Sequence, residues 1–294
     1  MYFSFPKQKE KYQKKVLFVP RMIQSLNQHA AARVLARRVA NSFEIIIQHD
    51  LVDRLKGADT MSKVYQATHV GKVRKNNEDA IIYIEPEIFA VADGMGGQAA
   101  GEVASNMLID TIKNFLPTIP EPLNEDILQK AILKANAAIL REAEKNPQYQ
   151  GMGTTATILH IYNRHAYFAH VGDSRLYRLR NKNFEQITQD HSYVEELVRA
   201  GEITEAEARV HPMKNVLTQA VGVVEKISVD TANFPVENGD IFLLCTDGLT
   251  NMVDDKTISE ILSSSENPAE ILIKTALDNG GTDNVSVIVV GVDK

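Results

Sequence analysis

Four carboxylates stand at the ends of apolar runs, where a hydrophobic core gives them no reason to be. Asp93-Gly94 closes Ile88-Phe89-Ala90-Val91-Ala92, and Asp247-Gly248 closes Ile241-Phe242-Leu243-Leu244-Cys245-Thr246. Asp173 follows His170-Val171-Gly172, and Asp283-Asn284 precedes Val285-Ser286-Val287-Ile288-Val289-Val290. Each run reads as a buried strand, so each Asp sits at a strand mouth. Gathered at one edge of a core, four such groups repel one another unless cations stand between them. Magnesium and manganese take oxygen ligands in octahedral geometry and keep several waters. Asp side chains, backbone carbonyls and water supply that set. Gly94 permits the tight turn and lets its own carbonyl approach an ion. A lone Asp-Gly is an ordinary turn; the set of four is what points to a hard-metal centre.

Other groups fit around such a centre. Arg74 precedes Asn76-Asn77-Glu78-Asp79. A guanidinium is planar, always charged and bidentate, which suits a phosphoryl group. Glu78 and Asp79 could hold waters around the ions. Taken alone, each would read as part of a solvated charged turn. His170 lies in an expected strand and reads as a satisfied buried group. His191 and His211 bracket a polar segment and read as plain surface residues, and His160 and His165 flank a hairpin at Asn163-Arg164. None has zinc-site spacing. Cys245 leads into Thr-Asp-Gly-Leu-Thr-Asn with no Arg to complete a cysteine phosphatase loop, so it reads as a small buried apolar group. There is no Gly-Lys-Ser/Thr phosphate loop and no kinase catalytic loop.

The elements that must position these residues alternate from residue 62 onward. Strands are expected near 63–69, 80–84 and 87–92, then helices over 98–116 and 126–145, each with one apolar face. Strands follow at 154–162, 165–172, 175–180 and 184–187. A polar, helical insert covers 190–220, with Gly201 between two short helical stretches. Strands return near 227–234 and 240–246, helices at 254–264 and 268–278, and a last strand at 285–292. The helix at 268 carries Asn267 as expected cap, Pro268 in its first turn and Glu270 to complete a capping box. Two β blocks with helix pairs suggest an α+β fold, a central antiparallel β-sandwich flanked by pairs of helices (α-β-β-α) with a small flap subdomain.

Composition sets outer bounds. The 294 residues are 44% hydrophobic and 24% charged, an ordinary globular balance. One cysteine allows no internal disulfide, which favours a reducing cytoplasm. No apolar stretch approaches the ~20 residues that span a bilayer. Net charge is −6, but residues 1–60 hold 11 Lys/Arg against 5 Asp/Glu, leaving the remainder at −12. An acidic body disfavours nucleic acid. Residues 1–61 are basic and Arg-rich, with apolar residues at near-helical spacing. They read either as a targeting or membrane-surface segment or, the preferred expectation, as an upstream extension that is not part of the natural product, with Met61 as the start. The catalytic domain is then 62–294.

Taken in order, Arg74…Glu78-Asp79, Asp93-Gly94-Met95-Gly96-Gly97, Gly153-Thr154-Thr155-Ala156, Gly172-Asp173-Ser174-Arg175, Asp247-Gly248-Leu249 and Gly281-Thr282-Asp283-Asn284 carry a resemblance. The chain resembles the metal-dependent type 2C serine/threonine protein phosphatases, the PPM family, and in particular its compact bacterial members. The likeness covers residues 62–294. It implies that Asp93 bridges two metals and that the Gly94 carbonyl binds one of them. Asp247 and Asp283 would complete the pair of Mg²⁺ or Mn²⁺ ions, and Asp173 would serve a third, weaker ion shared with Asp247. Arg74 would bind substrate phosphate, and Glu78 and Asp79 would match the family's acidic pair near the metal waters. Residues 190–220 would be its flap. Animal-type members carry a His after the Asp-Gly pair; Met95 stands there in this chain and cannot donate a proton, which leaves a metal-bound water to protonate the leaving oxygen.

The activity implied is hydrolysis of phosphoserine and phosphothreonine in proteins by a water bridging two ions. Partners would be phosphorylated proteins, including a serine/threonine kinase and its substrates, met by a monomer with no membrane span. Two rivals remain open at this point. One is a phosphatase-like regulatory module that binds a phosphoprotein without general turnover, whose mark would be a lost metal Asp. The other is a non-enzymatic interaction protein acting through the basic leader.

Overall fold

A computed structural model describes residues 62–85, 87–96 and 100–293 of the chain. The expectations for residues 1–61 lie outside the described residues. Two antiparallel sheets form the centre. The first has the order β1-β11-β10-β7-β8, built from Lys63–His69, Val285–Gly291, Ile241–Cys245, Arg175–Arg180 and Asn183–Gln186. The second has the order β2-β3-β5-β6-β9, built from Asp79–Ile84, Ile88–Met95, Ala156–Tyr162, His165–Val171 and Asp230–Pro235, with a two-residue β4, Gly153–Thr154, added beside β3.

Seven α-helices complete the described fold: α1 Ala100–Phe115, α2 Glu125–Lys145, α3 Tyr193–Arg199, α4 Glu205–Val210, α5 Asp247–Thr250, α6 Asp255–Ser264 and α7 Pro268–Asp278. Three apolar layers hold the stack together, and strand periodicity builds them. Along β3, Ile88, Ala90 and Ala92 pack under α1 and α2, while Phe89 and Val91 point between the sheets. Along β11, Val285, Val287 and Val289 pack under α5, α6 and α7, while Ile288 and Val290 meet the other sheet. Successive side chains leave a strand on opposite faces. A strand covered on both faces therefore reads as a continuous apolar run, and these do.

The observed architecture is the expected α-β-β-α sandwich with a flap. Four local differences matter. The run expected as one strand over 154–162 is broken at Thr155, whose backbone N–H donates to the Asp93 carbonyl at 2.9 Å instead of continuing a ladder. Asp247 does not merely follow a strand; it opens α5. The strand expected from 227 begins at Asp230. Asn267 makes no side-chain cap to α7, because its φ of −129° and ψ of 78° leave the extended geometry from which a cap reaches the first turn.

Candidate metal centre

The four strand mouths face one cavity of about 580 Å³ at the edge of the sandwich. Asp93, Asp173, Asp247 and Asp283 all line it, with Arg74, Glu78, Gly94 and Met95. Asp93 and Gly94 come from the end of β3, Asp173 from the β6–β7 turn, Asp247 from the start of α5, and Asp283 from the loop before β11. Asp79 lies one strand over, paired with Asp93 in the β2–β3 register.

The electrostatics are those of a site short of positive charge. Burial, then repulsion from Asp79, Asp247, Asp173 and Asp283, holds Asp93 well above the usual carboxylate range. Burial and Asp247 do the same to Asp173. Burial and Asp283 push Asp247 up to about 6. Burial pushes Asp79 up to about 7, against the hydrogen bonds it accepts from Ser286 Oγ at 2.7 Å and Thr246 Oγ1 at 2.8 Å. Its other oxygen, Oδ1, is buried without a hydrogen-bond partner. Glu78 is raised as well, chiefly by burial.

These residues fit hard divalent cations. Among the described residues, the lining offers carboxylate and carbonyl oxygens and no thiolate or imidazole. Among the described residues, no three His, Cys, Asp or Glu side chains are gathered tightly enough to hold an ion by themselves. An ion here would complete its shell with water and backbone carbonyls, as magnesium and manganese commonly do.

Close backbone packing sets the positions. A Cβ on Gly94 would lie 2.1 Å from the Gly101 carbonyl oxygen, and one on Gly248 would lie 1.8 Å from that of Asn284. Both Asp-Gly turns are therefore pressed against another segment, and only glycine fits. Arg74 donates from its terminal Nη2 to Asp283 Oδ2 at 2.8 Å. The expected phosphate clamp thus stands on one of the expected metal ligands, at the mouth of the cavity.

Several residues that hold the site were given no role by sequence reasoning. Thr155 Oγ1 accepts from the Asp93 N–H at 2.8 Å and shares a hydrogen bond with Ser174 Oγ at 2.7 Å, so it ties the Asp93 turn to the Asp173 turn. Asn284 accepts from the Glu78 N–H at 2.8 Å and donates to the carbonyls of Val70 and Asn76, both at 2.9 Å. It locks the Asp283 loop to the segment carrying Arg74. Gly-Thr-Thr at 153–155 and Asp-Asn at 283–284 were the visible signals.

The histidine readings divide. His170 is buried as expected, between Thr157 Oγ1 at 2.9 Å and the Gln189 carbonyl at 3.1 Å, and burial and His191 push it down to about 4. His191 is not a plain surface residue. Its Nδ1 accepts from the Gly172 N–H at 3.2 Å, its N–H donates to the Gly172 carbonyl at 2.7 Å, and its Nε2 stands 3.1 Å from Asp230. His160 is buried too, with Nε2 2.8 Å from Glu121. His191 departs from the surface reading because its partners, the Gly172 turn and Asp230, are distant in sequence, whereas His160 and His165 flank the β5–β6 hairpin as expected. Cys245 is buried as expected, and burial pushes its thiol up to about 12.

The expected flap is present as α3 and α4. Its neck is closed by a bridge between Ser192 and Leu217 and by the Tyr193 N–H donating to the Val216 carbonyl at 2.8 Å. Asn215 and Leu217 bring its far end to the cavity wall. No helix among the described residues is long and apolar enough to cross a membrane.

Comparison with known proteins agrees with this geometry. The family model for Protein phosphatase 2C matches residues 68–276. The chain is 41% identical over 234 residues to serine/threonine phosphatase stp of Listeria innocua, covering 76% of this chain and 93% of the relative. It is 36% identical to protein phosphatase PhpP of Streptococcus pneumoniae, covering 77% and 96%. The crystal structure of the Mycobacterium tuberculosis serine/threonine phosphatase PstP/Ppp superposes with a TM-score of 0.75 at 37% identity, covering 79% of this chain and 99% of that one. A structure of the PstP catalytic domain in complex with two manganese ions superposes with a TM-score of 0.74 at 36% identity, covering 79% and 99%.

Proposed function

This chain belongs to the protein phosphatase 2C family and is a serine/threonine protein phosphatase, and we propose on that premise that its four-carboxylate cavity is where phosphoserine and phosphothreonine in proteins are hydrolysed with two Mg²⁺ or Mn²⁺ ions. The observation that carries the reading is the convergence of Asp93, Asp173, Asp247 and Asp283 on one cavity with Arg74 at its mouth. Divalent ions, when bound, supply a water nucleophile at neutral pH and offset the charge of the phosphoryl group. Asp93, Asp247, Asp283 and the Gly94 carbonyl would hold two ions, and Asp173 with Asp247 a third, weaker one. Asp79 and Glu78 would take hydrogen bonds from waters around them.

Arg74 binds the substrate phosphate in this reading, exchanging Asp283 for phosphoryl oxygens. Asp283 takes one hydrogen bond from the guanidinium, whereas a phosphoryl group presents paired oxygens and can take two. The lining has no histidine, and Met95 has no proton to give. The leaving oxygen therefore takes its proton from water and not from an imidazole. Cys245 does not serve as a nucleophile in this reading, because it is buried in the core and burial pushes its thiol up to about 12. The regulatory alternative is not favoured, since all four aspartates line the cavity.

We further propose that residues 62–294 suffice for hydrolysis. Phosphorylated proteins, among them a serine/threonine kinase and its substrates, are the proposed partners of a cytoplasmic monomer, by analogy at the level of the family. The test is hydrolysis of p-nitrophenyl phosphate and a phosphothreonine peptide by the full chain, with Mn²⁺ and with EDTA. Activity with Mn²⁺ and none with EDTA is the expected result; full activity in EDTA would overturn the metal mechanism.

A further inference from the structure

Two valines on the loop after the flap, Val223 and Val224, are 45% and 49% exposed. Their loop is nonetheless fixed at several points. Asn136 of α2, only 2% exposed, gives its whole amide to it. Its Oδ1 accepts from the Gly222 N–H at 2.6 Å, and its Nδ2 donates to the carbonyls of Val224 at 3.0 Å and Glu225 at 3.2 Å. Gly222 has φ +92°, and a Cβ there would lie 2.2 Å from Ile139 Cγ2, so the loop is pressed onto α2.

The same loop is referenced to the metal centre. Val221 and Thr154 exchange backbone hydrogen bonds at 2.9 Å each, and Thr154 Oγ1 donates to the Asp93 carbonyl at 2.9 Å. Val223 Cγ2 and Met95 Cε both close on Gly153, at 2.7 Å and 2.9 Å from where its Cβ would stand. Met95 lines the catalytic cavity, so Val223 stands beside a residue of its wall, with Val224 next to it in the same anchored loop. Valines that bury half their surface add little to the core, and polar residues would serve a solvent-facing loop better. Holding them rigid beside an acidic cavity makes sense if something apolar lands there.

We propose that Val223 and Val224, with Met95, form a shelf that receives an apolar side chain flanking the phosphorylated residue of a protein substrate; the inference rests on the phosphatase reading of this cavity. The phosphoryl group occupies the acidic cavity, and the peptide must leave over its rim. Two exposed apolar residues adjoin cavity-lining residues in sequence, Val73 before Arg74 at 67% and Val216 between Asn215 and Leu217 at 42%. An aliphatic neighbour gains contact there, whereas a carboxylate would lose hydration against the valines without a partner.

The experiment uses the full chain with Mn²⁺ and a set of phosphothreonine peptides in a Ser/Gly background, with one Leu moved through each flanking position in turn. The wild type should favour Leu at one position by about tenfold in kcat/KM, mainly through KM. Val223→Ser with Val224→Ser should abolish that preference, and Val223→Glu should move it from Leu to Lys at the same position, a gain that misfolding cannot produce. Equal efficiency on all peptides by the wild type, or a Leu preference retained in the Ser variant, would overturn the shelf while leaving the phosphatase reading intact. Failure to hydrolyse p-nitrophenyl phosphate or any peptide would overturn both. A dimer by light scattering that Val223→Glu dissociates, with peptide preferences unmoved, would assign the surface to contact between copies of the chain and overturn the proposal.

Discussion

Burial and repulsion from neighbouring carboxylates hold Asp93 and Asp247 above the usual carboxylate range, and this sets the strongest expectations at the residue scale. Replacing either by Asn removes a charged ligand of the proposed two-ion core. Asp93→Asn and Asp247→Asn should each lose several kcal/mol of transition-state stabilisation, about a thousandfold in kcat. Asp173→Ala should lower activity less and leave the tighter metal binding intact. Calorimetric titration with Mn²⁺ checks this, and loss of all binding in the Asp173 variant with retention in the Asp247 variant would reverse the assigned roles. Arg74 is half exposed and already engaged with Asp283. Its energy toward a phosphate dianion is largely present before the transition state, so Arg74→Ala should raise KM by about tenfold with a smaller fall in kcat. Steady-state kinetics on a phosphopeptide decides it; an unchanged KM would make Arg74 an ordinary surface charge.

At the scale of elements, the flap and the site share a boundary at Asn215 and Leu217. α3 and α4 carry Glu195, Glu196, Glu205 and Glu207 and contribute little to the core: Val194 is the buried residue of α3, and α4 has none. Gly201, with φ +72°, follows α3 and marks where the two short helices part. The neck is anchored, because His191 clasps Gly172 and Arg175 pairs with Asp190 at 2.7 Å. The expected role of such a segment is to select what reaches the cavity more than to shape the carboxylates. Replacing Tyr193–Val210 by a short Gly/Ser linker should change relative rates among phosphopeptides by about tenfold or more while altering p-nitrophenyl phosphate hydrolysis far less. Equal losses on both substrates would show instead that the flap supports the metal core.

For the whole molecule, the carboxylate cluster links stability to pH and to metal. Asp79 stands at about 7 and Asp247 at about 6 in the folded chain, against ~3.9 for an unfolded Asp. Folded-state values above the unfolded value mean that the folded state binds more protons between them. The stability these groups contribute is therefore full below about 4 and is lost as pH rises through about 6 to 7. In EDTA, thermal unfolding should show a falling Tm across that window. With Mn²⁺ the sign reverses, because ions bind the deprotonated carboxylates of the folded state and stabilise it by mass action. The difference between the two Tm profiles is the measurement; a gap that does not widen between pH 5 and pH 8 would remove the cluster as a metal site.

The sequence alone was enough to place the strands, because residues buried on both faces must be apolar, and enough to single out Asp93, Asp173, Asp247 and Asp283, because an acid at the mouth of such a strand has no packing role. Helix faces and the polar flap were legible for the same reason of period and composition. What holds the acids in place was decided only in three dimensions. Thr155 reaches Asp93 across 62 residues, Thr246 reaches Asp79 across 167, and Asn284 reaches Glu78 across 206. A hydroxyl or an amide has many possible partners, and local pattern carries no information about which distant backbone will face it. The clasp of His191, the burial of His160, the pairing of Arg74 with Asp283 and the hold of Asn136 on Gly222, Val224 and Glu225 all belong to that class. Periodicity is a local property and survives in one dimension; the partner of a buried polar group exists only once two sheets have packed.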